Sequence, residues 1–283
     1  MVKNMNAKEK RSILAYPYIV WSIIFIVIPL LLILFLSFTV ETDNGFAFSL
    51  SNYKKIMDPL YVGVFWYSIW LAFLSTVICL LLGYPVAYII SKYNIKTRNI
   101  LILLFIVPMW MNFLLRTYAW MAILSENGIL NTILNFFGFH SVKMLYTEGA
   151  TLLGMVYNFL PFMVIPIYTI LVKIDKNLIN ASYDLGATKS QTFRKVILPL
   201  SLPGVMSGIT MVFMPAVSTF VISRLLGGSK YLLVGNLIEQ EINAVGDWNL
   251  GSAIAIFMMI LILISMAVMN RYEGKYSPKE GAK

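Results

Sequence analysis

The chain reads as an all-α integral membrane protein of six helices, and three observations predict this. Only 12% of its 283 residues are charged while 59% are hydrophobic; soluble domains carry about 25% charged residues. Six long stretches hold no charge or a single one, and a spanning helix needs roughly 20 mostly apolar residues. Lysine and arginine are also distributed very unevenly between alternate connecting segments. The sequence lacks the alternating polar and apolar segments of about ten residues that mark a barrel strand. Helices pair every backbone group within their own segment, as hydrocarbon requires. A single transmembrane domain over 1–283 follows.

The first span covers about 12–40, behind Lys8, Lys10 and Arg11. A signal peptide has the same basic flank, but this apolar run is about twice the usual 7–15 residues and no clear A-x-A site follows. It reads as a retained helix. The remaining spans cover about 62–91, 99–125 (which holds Arg116), 149–172, 199–223 and 248–270. Segments 41–58, 126–148 and 224–247 lie on one side, 92–98 and 174–198 on the other. Within 126–148, NGILNTILNFFGF has the pattern of a short interfacial amphipathic helix. No internal repeat is visible, so an inverted-repeat secondary transporter is not supported.

With the N-terminus in the cytoplasm, 16 of the 22 lysines and arginines lie inside and five outside, Arg116 being the remaining one. The positive-inside rule therefore places both termini in the cytoplasm. The net charge of +9 is a topology signal, directed at lipid headgroups and not at nucleic acid. Eight of the 13 acids face outward, which suits a cationic solute or simply reflects the depletion of lysine there. The single cysteine, Cys79, permits no intrachain disulfide, and the single histidine, His140, falls in an outer loop. Metal-ligand clusters, a catalytic triad and a G-x-x-x-x-G-K-[ST] loop are all missing. The chain is thus expected to be no enzyme, with no cofactor of its own.

The inner segment 174–198 breaks the pattern, because it is polar and specific between two apolar runs. Leu178, Ala181 and Leu185 fall on one face of a helix, and Asp175 suits its N-terminus. Gly186 permits a turn. A second helical stretch, SQTFRKVILPL, leads to Pro199 and Pro203, where the chain enters the bilayer. Periodicity alone leaves two readings: a helix gripped by a cytosolic partner, or an amphipathic loop resting on headgroups.

The pattern A-x-x-x-L-G-A-x(8)-V-x-L-P, on Ala181, Leu185, Gly186, Ala187, Val196, Leu198 and Pro199, resembles the EAA loop of ABC importer permeases. Asn180 stands where that loop has glutamate, and Ser182 where it has its second alanine. LLRTYAW (114–120), LPFMVIPIYTILVKID (160–175), DLGATKSQTF (184–193), GGSKYLLVGNLI (227–238) and GDWNLGSA (246–253) are similar to the polyamine (spermidine/putrescine) branch of that family. The resemblance implies a type I, MetI-like importer permease in a bacterial inner membrane. It implies that Asn180, Ala181, Ser182, Asp184, Leu185, Gly186 and Ala187 form a coupling helix docked on an ATPase. It further implies a PotC-like permease as heterodimer partner, a PotA-like ATPase dimer that holds ATP and Mg, and a PotD-like binding protein outside. Ion coupling by intramembrane acids, which an ATP-independent transporter would favour, finds no candidate residues, and a non-transporting scaffold gives no reason for the loop pattern.

For a solute path the candidates are Trp110, Tyr118, Trp120, Tyr157, Tyr168 and Phe220, with Asp247 at the outer start of the last span. Aromatic faces and phenolic oxygens hold alkylammonium chains; the same residues also form interfacial belts. Arg116, a charge inside a span, is expected to pair at a helix interface, to snorkel, or to face a cavity.

Overall fold

Apolar runs as long as a bilayer is thick leave helix as the only structure that satisfies their backbone. The computed structural model describes residues 16–43, 45–228 and 230–276. Lys3, Lys8, Lys10, Arg11, positions 12–15 of the first span, Lys279 and Lys283 lie outside the described residues.

No apolar residue of helix α1 (Tyr16–Ser37) is fully buried within the chain. A hairpin of β1 (Thr39–Thr42) and β2 (Gly45–Phe48) follows, with Thr39 opposite Phe48, and then α2 (Ser51–Ile56). The long α3 (Pro59–Lys92) comes next, then α4 (Ile95–Trp110), α5 (Phe113–Leu124) and α6 (Ile129–Phe136). The chain continues through α7 (Glu148–Lys173), α8 (Lys176–Asp184) and α9 (Lys189–Ser218). It ends with α10 (Val221–Leu226), α11 (Val234–Gln240) and α12 (Trp248–Tyr276). Among the described residues five helices are long and apolar enough to cross a membrane, six if a bent pair counts as one.

That pair occupies the region expected to be one span over 99–125. Ile95–Trp110 and Phe113–Phe136 are bent by 93°. The cause is local. Met111 is extended, with ψ 148°, and the side-chain oxygen of Asn112 accepts from the amides of Leu114 and Leu115 at 2.8 and 3.4 Å, starting a new helix. Similarly, α9 is longer than the fifth expected span, 199–223, at its start and shorter at its end. It begins at Lys189 and stops at Ser218, where Thr219 turns extended. A wider π turn, Phe193–Ile197, precedes Pro199, and another, Ile23–Val27, precedes Pro29. Each relieves the clash that a proline ring makes with the turn before it.

The chain forms two compact units, one up to Tyr61 together with Ile238–Ile260, the other Val62–Leu237 together with residues from Leu261. In the first, Asn249 at the start of α12 donates to the carbonyls of Leu36 and Thr39 at 3.1 and 2.8 Å, satisfying the end of α1. Phe38 stacks between Phe48 and Tyr53 beside it. The second unit centres on α7 against α9, around buried Met163, Val164, Ile167, Val205 and Val212. Gly204 makes that contact possible: a Cβ there would stand 2.8 Å from the Pro166 carbonyl and 3.1 Å from the Ile167 Cα. Gly208, one turn on, rests on Met163. The GVMSG run is therefore a small-xxx-small seam of the kind that lets membrane helices touch.

Candidate functional site

The segment singled out in the sequence folds as a short helix with built ends. Asp175 accepts from the Asn177 amide at 2.9 Å and caps α8. At the other end Gly186 takes φ +79°, its amide reaches the Tyr183 carbonyl at 2.9 Å, and the Ala187 amide reaches Ser182 at 3.0 Å. These two bonds are the Schellman closure, which favours glycine at the left-handed position. Thr188 and Gln191 then form a reciprocal capping box that starts α9.

This geometry fixes which side of α8 is offered outward. Asn180, Ala181, Asp184, Leu185 and Gly186 are exposed, Leu185 at 88%, and Leu178 is exposed with them. Ser182 and Ala187 are half-buried. Ser182 meets the hydroxyl of buried Thr192 at 2.8 Å, which clamps α8 to the first turn of α9. Phe193, the next residue, sets its ring edge-on to Tyr84 and Tyr88 of α3 at 5.9 and 5.1 Å. Tyr84 in turn bonds Ser201 at 2.8 Å. Of these, Thr192, Phe193, Tyr84, Tyr88 and Ser201 were absent from the sequence-derived set of site residues.

The solute-path candidates do not form one constellation. Trp120 and Tyr157 meet edge-to-face at 5.3 Å and line a recess of about 380 Å³. Trp110 and Tyr118 are exposed on the two arms of the bent pair. Tyr168 lies under the Arg98 guanidinium, 5.9 Å from its ring centre. Phe220 sits at the break after α9, and its carbonyl accepts from Asn236 Nδ2 at 2.9 Å. Asn236 also accepts from the Leu233 amide at 3.2 Å and from the Ser223 hydroxyl. It is the hub that satisfies this irregular, buried backbone, and sequence reasoning missed it.

Asp247 caps α12 through the Leu250 amide at 2.9 Å and stands 3.8 Å from Lys55. Glu241 lies nearby, buried and bonded to Tyr61. Burial pushes the Glu241 carboxyl above its ordinary range and the Asp247 charge adds to this, while the Tyr61 hydrogen bond and Lys55 partly offset it. Arg116 is buried with its Nε unpaired, and among the described residues no carboxylate is in ion-pair reach of it.

The family described as "Binding-protein-dependent transport system inner membrane component" matches residues 79–277, from the middle of α3 through α12. The chain belongs to this family. Among curated members, the spermidine/putrescine transport system permease protein PotB of Haemophilus influenzae is 42% identical, over 89% of this chain and 90% of that protein. PotB of Escherichia coli K12 is 40% identical, over 89% and 93%. The crystal structure of a bacterial ABC transporter that imports alginate superposes with a TM-score of 0.80 at 16% identity, covering 95% of this chain and 98% of that one. The last likeness establishes the type I importer permease fold expected of a family member. Both bends, at Met111 and at Thr219, fall inside the matched region of this multi-pass membrane protein.

Proposed function

We propose that this permease is one of two membrane subunits of an ATP-driven importer, and that its solute is a polyamine, spermidine or putrescine. The observation that carries the reading is the 42% and 40% identity to two PotB permeases across about nine-tenths of the chain. Its partners on this reading are a PotC-like permease, a PotA-like ATPase dimer that holds ATP and Mg, and a PotD-like binding protein. The setting is a bacterial inner membrane with both chain termini in the cytoplasm, as the lysine and arginine bias requires.

The residues of this chain have a mechanical part. An ATPase grips the exposed Leu178, Ala181 and Leu185 face of α8 as its dimer closes. The Ser182–Thr192 bond and the Gly186 closure pass that displacement to α9, and Phe193 passes it to α3 through Tyr84 and Tyr88. Two states of the permease pair are thereby biased by nucleotide on one side and solute on the other. The Trp120–Tyr157 pair lines the solute's way, an aromatic surface that binds an alkylammonium without trapping it.

The test is uptake of labelled spermidine into proteoliposomes holding the full complex, with ATP and binding protein. Ala181→Arg places a charge on the docking face and is expected to abolish uptake while the protein stays folded in the membrane. Normal uptake by that variant contradicts the docking role. Uptake of a neutral solute of equal size in preference to spermidine contradicts the polyamine assignment.

A further inference from the structure

A recess of about 320 Å³ opens where the ends of α3 and α7 meet the starts of α4 and α8. Three cations line it, Lys92, Arg98 and Lys176, and no acid is among its lining residues. None of the three pairs with a carboxylate among the described residues. Asp175, beside Lys176 in the chain, is engaged as the cap of α8. Arg98 Nε is buried without a hydrogen-bond partner, and Lys92 Nζ rests 3.9 Å over the Tyr88 ring.

Three like charges around one recess repel, and a buried unpaired guanidinium donor is costly. An anion with several acceptor oxygens offsets the repulsion, and a phosphate group fits the fork of an arginine. Much of the remaining lining is aliphatic, Ile179 and Ile197 among it, so the ligand has an apolar part beside its anionic head. The recess lies at the ends of apolar helices, the level at which headgroups sit.

We propose that this recess binds the phosphate headgroup of an anionic phospholipid on the side of the membrane that carries α8. Basic pockets between helix ends are suited to such headgroups. The lipid touches α8 through Ile179 and Tyr183, a face other than the one bearing Leu178, Ala181 and Leu185. A partner docked on that outward face leaves the recess to the lipid. The proposal holds whichever solute the chain carries.

The test equilibrates the full chain with vesicles of equal parts phosphatidylglycerol and phosphatidylcholine, extracts it gently, and counts retained lipid by native mass spectrometry. The wild type is expected to retain phosphatidylglycerol selectively. Each charge removed weakens retention about fivefold, so Arg98→Gln with Lys176→Gln loses about 25-fold on the same scale. Lys92→Gln, at an exposed position that does not threaten folding, is expected to lose about fivefold. Lys173→Gln, exposed at the same level but not in the lining, is expected to change nothing. Equal retention of both lipids, or full retention by the double variant, overturns the proposal. Displacement of the lipid by millimolar inorganic phosphate assigns the site to free phosphate, and displacement by the ATPase subunit assigns it to a protein; either overturns the lipid assignment.

Discussion

Leu185→Ala separates docking from folding. The Leu185 side chain is 88% exposed, so truncating it removes almost no contact within the chain. Surface changes of this kind shift stability by within about 0.5 kcal/mol. If an ATPase subunit buries that leucine, losing most of it costs about 1.5–3 kcal/mol of docking, roughly 10- to 150-fold in affinity. The assay titrates purified ATPase subunit onto the permease pair in nanodiscs, with thermal unfolding of the same sample alongside. Thr192→Val is the companion variant. It breaks the bond to Ser182 from behind α8, at a side chain only 1% exposed. It is expected to lose about 1 kcal/mol of stability and to keep most of the docking. Wild-type affinity in Leu185→Ala would refute the outward face as the docking face. A large fall in Tm for that variant would refute the premise that Leu185 is unsupported by its own chain.

Gly204→Ala forces a Cβ to within 2.8 Å of the Pro166 carbonyl and is expected to cost about 1–3 kcal/mol by overpacking, read as lost thermal stability in detergent. Asn236→Ala strips the Phe220 carbonyl, the Leu233 amide and the Ser223 hydroxyl of a shared partner. It is expected to cost about 1–3 kcal/mol for each group left buried and unsatisfied, and faster hydrogen exchange at Leu233 checks it. Glu241 has a raised carboxyl pKa in the fold, so its contribution is favourable at low pH and is lost as pH rises from the ordinary carboxylate range through the raised value. Glu241→Gln is therefore expected to flatten that part of the pH–stability curve; an unchanged slope counts against it.

Much of the helical layout was legible because composition and periodicity dictate it: apolar runs this long have one backbone solution in a membrane. The short helix α8 and its ends were legible because Asp175, Gly186 and the proline pair carry local signals whose meaning does not depend on distant packing; its coupling role rested on the resemblance alone. The breaks were harder. Asn112 after Pro108 was a visible cap signal, but it competed with an unbroken apolar run on either side, and hydropathy won the reading. The β1–β2 hairpin, in which Thr42 pairs with Gly45, fell in a stretch that the sequence reading divided between the first span and a loop. What sequence could not give was which side chains meet. Phe193 reaches Tyr84 and Tyr88 across more than 100 residues, and the GVMSG seam acquires meaning only once α7 lies against it. The solute-path candidates scattered for the same reason: aromatic identity says what a side chain can bind, and packing alone says which ones face each other.

The most direct measurement is ATP hydrolysis by the assembled complex in nanodiscs, with binding protein present, with and without spermidine. The account predicts hydrolysis that spermidine stimulates, that a size-matched neutral solute does not, and that Ala181→Arg uncouples from the solute. A complex that hydrolyses ATP at one rate regardless of spermidine would contradict the polyamine assignment. A permease that assembles with no ATPase, under conditions that preserve such complexes, would contradict the coupling role of α8 itself.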